Sequence, residues 1–144
     1  MKNLFLLSVI FSSVFLQSCK KEGCTNQDSI NYDSSAKSDD GSCKYESTVV
    51  FWYGEATSDS LINDQATSLT YVVNGETIGS TGTNVFWTAS PDCEQTGVTS
   101  KVVDLSDNTS GSISYTVKDA TGFIYWQETI TINANKCEGI ELVW

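Results

Sequence analysis

From Thr48 onward the chain is built of runs of five to eight β-branched and aromatic residues, bounded by clusters of Gly, Asn, Asp and Ser. This punctuation leaves little room for any fold other than a stack of short strands. The pattern is sharpest at residues 112–118, where Ile113, Tyr115 and Val117 alternate with Ser112, Ser114, Thr116 and Lys118. A period of two places the apolar set on one face of a strand and the hydroxyls and charge on the other. Ile124, Trp126, Ile130 and Ile132 share one parity, but Glu128 intrudes on their face, which predicts a bulge or a strand end there. Asn74-Gly75 is the strongest hairpin signal, because a type I′ turn requires positive φ at both central residues. Asp119-Ala120-Thr121-Gly122 predicts a longer hairpin.

Strands are expected at 48–53, 68–73, 76–79, 84–88, 98–105, 112–118, 123–132 and 139–144, and no segment predicts a helix. Seven or eight short strands joined by hairpins point to an all-β fold, an antiparallel β-sandwich. A small closed barrel is the alternative. The polar stretch 54–67 is the longest expected loop and a candidate recognition edge, since loops on a rigid scaffold carry function more often than strands do.

Five cysteines divide into one near the N-terminus, Cys19, and four others, Cys24, Cys43, Cys93 and Cys137. The stretch between Cys24 and Cys43 has Ile30 and Tyr32 as its only sizeable apolar residues. A segment with so little to bury needs a staple, and a disulfide closing about 20 residues contributes roughly 3 kcal/mol in the loop-entropy model. Cys24 with Cys43 is therefore the favoured pair, leaving Cys93 with Cys137 to close about 45 residues, worth roughly 4 kcal/mol. Crossed pairings remain open on paper. Disulfides of either pattern place the chain outside the reducing cytosol.

The N-terminus supports the same address. Lys2 precedes an apolar run at residues 4–16 broken only by serines. As a helix it would span about 20 Å, short of the ~30 Å hydrocarbon core, so it reads as the h-region of a signal peptide. Leu16-Gln17-Ser18-Cys19 resembles the lipobox of bacterial lipoproteins, with Gln17 departing from the usual small residue. The resemblance implies cleavage after residue 18, acylation of Cys19 and attachment to a membrane, with the outer membrane of the cell envelope expected; stable attachment takes two or more acyl chains. The implied organisation is a signal peptide at 1–18, a lipidated tether at 19–23, an irregular disulfide-closed module at 24–45 and the sandwich at 46–144.

Gly23-Cys24-Thr25-Asn26, Asn31-Tyr32-Asp33, Ala36, Asp39-Asp40-Gly41-Ser42-Cys43 and Tyr45 resemble a short module found in secreted and surface proteins of Bacteroidetes, with Gln27 and Ser34 standing where prolines are usual. Residues 71–142 also resemble a small β domain of short Bacteroidetes lipoproteins, through Asn74-Gly75, Ile78-Gly79, Pro91 to Cys93 and a strand leading to Cys137. Both resemblances imply location more than activity. Asp28-Ser29-Ile30 and Asp59-Ser60-Leu61 match the permissive O-glycosylation pattern of that group.

Removing residues 1–18 takes one lysine with it, leaving seven lysines, 18 acids and a net charge of −11. Nucleic acid is thereby disfavoured, since phosphate binding depends on cationic neutralisation. A divalent cation fits better, and Asp28, Asn31, Asp33, Asp39 and Asp40 offer oxygen ligands suited to calcium, although their spacing fails the EF-hand template. Turn formation by the same residues is the plainer role.

Catalysis finds little footing. Histidine is absent, as are a nucleophile elbow, a phosphate loop and a Cys-x-x-Cys pair. Glu55, Asp59, Asp64, Glu94 and Asp104 show no spacing that selects two carboxylates for glycoside hydrolysis. Trp52, Tyr53, Trp87, Tyr125, Trp126 and Trp144 are many aromatics for so small a body, and Gln127 or Glu128 stands near enough to bond a sugar hydroxyl. The expectation is a non-enzymatic envelope lipoprotein serving as a binding or structural module. A calcium-stabilised adhesion module and a sandwich binding a glycan or a protein are the alternatives.

Overall fold

A computed structural model describes residues 20–144. The expected signal peptide and Cys19 lie outside the described residues. Seven strands and one helix follow in the order β1 (Tyr45–Trp52), α1 (Glu55–Asn63), β2 (Ser68–Val73), β3 (Glu76–Gly82), β4 (Thr99–Ser106), β5 (Ser110–Asp119), β6 (Ile124–Asn133) and β7 (Cys137–Glu141). They form two sheets, ordered β4-β1-β7 and β3-β2-β5-β6, with no closure into a barrel. The expected sandwich is what the chain builds.

Alternation sets the core as the sequence implies. Leu69, Tyr71 and Val73 of β2 and Ile113, Tyr115 and Val117 of β5 point inward and are buried. From the other sheet Phe51 fills the space between them, its ring 5.6 Å from Tyr71 and 5.2 Å from Tyr115. Burying side chains of this size stabilises by about 1.5–3 kcal/mol each. The Asn74-Gly75 turn has φ of 49° and 81°, as type I′ demands. The β5–β6 hairpin is held by Asp119, whose carboxylate accepts from the Thr121 and Phe123 amides at 2.8 and 2.9 Å.

Four expectations are corrected. Residues 55–63, expected as loop, form α1. Its buried residues are Thr57, Ser58 and Leu61, so the inward face shows one aliphatic side chain and two hydroxyls. Ser58 Oγ donates to the Thr83 carbonyl at 2.7 Å, and Thr57 Oγ1 accepts from the Trp144 amide at 3.3 Å. The helix closes in a Schellman pattern, with the Gln65 amide on the Ile62 carbonyl and the Ala66 amide on that of Leu61. Gln65 takes the left-handed position, φ 67°, that glycine usually fills.

Residues 84–88 form no strand. Their chain turns at Val85, whose amide bonds the Gly82 carbonyl, and meets the residue just after β1 through the Trp87 amide on the Tyr53 carbonyl. The run continues across the outer side of the three-stranded sheet, where Ser90 sits against Gly139 so closely that a Cβ there would collide with it. Gly139 is the β7 partner of Val50, which is buried although it faces away from the sandwich interior.

β7 pairs with β1 in parallel, Thr48 opposite Cys137 through Trp52 opposite Glu141, so one pairing departs from the antiparallel pattern. Glu128 provokes neither a bulge nor a strand end. The irregularity in β5–β6 falls between Val117 and Lys118, and Glu128 stays in register opposite Tyr115. β6 is the edge of its sheet, so the carboxylate reaches water beside the Tyr115 ring. Burial, reinforced by that carboxylate, pushes the Tyr115 hydroxyl up to about 12.

Candidate functional site

Cys24 bonds Cys43 and Cys93 bonds Cys137, with Cα separations of 4.8 and 5.8 Å. Cys24 and Cys43 join the same buried cluster as Tyr45, seating the 24–43 module on the N-terminal end of β1. Four of its five oxygen-bearing candidates, Asn31, Asp33, Asp39 and Asp40, are occupied locally. Asn31 Oδ1 accepts from the Lys44 amide and its Nδ2 donates to the Ser42 carbonyl, both at 2.8 Å. Asp39 and Asp40 accept from the amides of Gly41 and Ser42, each at 2.9 Å. Asp33 pairs with Lys21 at 2.7 Å and accepts from Ser35, which holds its carboxyl well below the usual carboxylate range. Asp28 is exposed, and its own amide donates to Asn26. Among the described residues no three His, Cys, Asp or Glu side chains gather into a metal-binding group. These side chains cap turns, which orders a segment that has almost no apolar residues to bury.

Beside the second disulfide lies an open cleft of about 670 Å³, walled by Glu46, Asp92, Glu94, Lys136 and the neighbouring backbone. No aromatic side chain lines it.

The aromatic residues divide sharply. Tyr53 is core, with its hydroxyl donating to the Gly82 carbonyl at 3.1 Å. Trp52 and Trp87 are half-buried on the side crossed by residues 84–98, and Trp52 Nε1 is buried without a partner. Tyr125, Trp126 and Trp144 converge at the opposite end of the sandwich with Phe123, Ile124 and Val143, around a cleft of about 290 Å³. Tyr125 is its centre, with ring centroids 5.0 Å from Phe123, 5.6 Å from Trp126 and 5.3 Å from Trp144. Gln127 and Glu128 do not line it.

Three elements hold this cleft open. The 142–144 segment is tied to β1 by the Leu142 amide on the Trp52 carbonyl (2.8 Å), to β6 by Trp126 Nε1 on the Val143 carbonyl (3.0 Å) and to α1 by the Trp144 amide. The C-cap of α1 supplies Asp64, whose carboxylate accepts from the Tyr125 hydroxyl at 2.7 Å. Desolvation first, and the Asp64 carboxylate second, push that hydroxyl up to about 12. Phe123 and Trp144 remain 59 and 57% exposed. Sequence reasoning did not join Phe123, Ile124 and Val143 to the aromatic residues, and it weighed Asp64 only as a carboxylate in an expected loop.

Among the described residues no helix is long and apolar enough to cross a membrane. No protein-family model, curated protein or solved structure matches the chain.

Proposed function

We propose that the chain is a non-enzymatic lipoprotein of the cell envelope, anchored in the outer membrane through acylated Cys19, whose sandwich presents a binding cleft to a partner. The observation that carries this reading is the polarity of the body. The 24–43 module joins β1 at Tyr45, whereas the aromatic cleft gathers where β1 ends, beside the Trp52 carbonyl. At ~3.3 Å per residue, the eight residues of β1 separate the two ends by about 25 Å. A chain tethered just ahead of Lys20 thus turns its aromatic end away from the bilayer. The disulfides suit an oxidising compartment, and the lack of histidine in the sequence removes the commonest general base.

Growth of producing cells with radiolabelled palmitate tests the anchor. Label is expected on the wild-type chain and none on Cys19→Ala; an unlabelled wild type, or label retained by the variant, refutes the reading.

A further inference from the structure

We propose that the aromatic cleft takes the cationic side chains, lysine or arginine, of a basic polypeptide, seating them on its exposed ring surface beside the carboxylates of Asp64 and Asp119. The inference rests on the display reading only for the direction in which the cleft faces, and palmitate labelling decides that reading separately.

Ring geometry is the first support. A platform for a flat sugar needs ring faces that lie nearly coplanar. Here the Tyr125 plane meets those of Phe123, Trp126 and Trp144 at 73°, 38° and 44°. At centroid separations of 5.0 to 5.6 Å the rings pack on one another, so what they offer an ammonium or guanidinium group is the outward surface of Phe123 and Trp144, both more than half exposed. The cleft, about 290 Å³, is of a size for side chains rather than for a folded surface.

Charge is the second. Asp64 touches the cleft through the Tyr125 hydroxyl, and Asp119 lies near enough to help hold the proton on that hydroxyl. Asp119 also holds the turn leading into Phe123. The ion pairs among the described residues are Lys21–Asp33 and Lys101–Glu76, so neither Asp64 nor Asp119 is paired with a described lysine. Lys118 stands opposite Ile124 in the β5–β6 register but makes no ion pair with either acid. Residues 20–144 carry seven lysines against 18 acids, a net −11, which steers cationic partners toward the molecule and repels anionic ones. The larger cleft at the other end shares the acidity but has no aromatic walls to desolvate a cation.

The experiment uses the full chain in uncharged detergent micelles, with tryptophan emission as the readout. The probe is a short peptide alternating lysine and glycine, and its control is the same peptide with every lysine acetylated. Saturable binding of the lysine peptide is expected, weakened about tenfold or more by acetylation and about tenfold by Phe123→Ala with Trp144→Ala. Asp64→Asn should weaken it about threefold, and raising salt from about 0.05 to about 0.5 M should weaken it further. If the double variant fails to fold, Trp144→Ala alone serves, since that ring is mostly exposed. Equal binding of the acetylated peptide, binding indifferent to Trp144→Ala, or saturation by cellohexaose with none by the lysine peptide overturns the proposal.

Discussion

The two ends of this molecule are stabilised by different physics. At the N-terminal end, residues 24–43 contribute little more than their disulfide to the core, and their order comes from a covalent closure and from Asn and Asp side chains bonding nearby amides. At the other end no disulfide is present. There α1, β6 and the 142–144 segment are joined by single hydrogen bonds around rings that stay in contact with water. The contrast teaches that a sequence rich in polar, oxygen-bearing side chains need not offer those atoms to a ligand. The richest display of oxygen ligands serves local structure, whereas the surface with apolar area to offer lies where the hydrogen bonding is sparse.

The largest effect that would sharpen this contrast is loss of the second staple. Cys93→Ser with Cys137→Ser should lower stability by about 4 kcal/mol, since the bridge closes a separation of 44 residues. Thermal melting followed by tryptophan emission should show a drop for the whole body. Cys24→Ser with Cys43→Ser removes about 3 kcal/mol in the same model, for a separation of 19. That loss should stay local, with amide exchange accelerating through residues 24–43 while the melting temperature of the sandwich moves little. If both pairs lower the global melt equally, the two ends are one cooperative unit and the comparison fails.

Alkali should act on the sandwich and its aromatic end rather than on the module. The hydroxyls of Tyr115 and Tyr125 are raised to about 12, and those of Tyr71 and Tyr53 are raised as well. A raised pKa means that the folded state holds its proton to higher pH than the unfolded one. The stabilisation is therefore complete below the ordinary tyrosine value of about 10 and is lost as pH climbs toward 12. Melting temperatures at pH 9, 10, 11 and 12 should fall across that window, and Tyr115→Phe should flatten the fall. The smallest effect concerns the joint between α1 and β2: Gln65→Gly, relieving a left-handed residue at φ 67°, should raise stability by about 0.5 kcal/mol, read as a small upward shift in melting temperature.

Where the pattern is local, the sequence was a sound guide. Residues 112–118 alternate because β5 has one face on the core, and Asn74-Gly75 announces its turn through backbone conformations that other residues avoid. Helix α1 escaped notice because amphipathicity is read from apolar residues, and its buried face satisfies hydroxyls against Thr83 and Trp144 instead. Residues 84–88 misled for the converse reason: Val85, Phe86 and Trp87 form a β-like run without a neighbouring strand to pair with. Parallel pairing of β7 with β1 joins segments 89 positions apart at Thr48 and Cys137, beyond the reach of any local pattern. Half of the aromatic cleft was visible, in Tyr125, Trp126 and Trp144. Its other half, Phe123, Ile124 and Val143, was not singled out, and Asp64 reaches Tyr125 from the end of the hidden helix, 61 residues away.

The account depends most on covalent chemistry at the cysteines, and intact mass measurement of the native protein tests it directly. The predicted result is a chain beginning at Cys19 that carries acyl groups and has no free thiol among Cys24, Cys43, Cys93 and Cys137. An unacylated amino terminus, or a free thiol at any of those four positions, would contradict it.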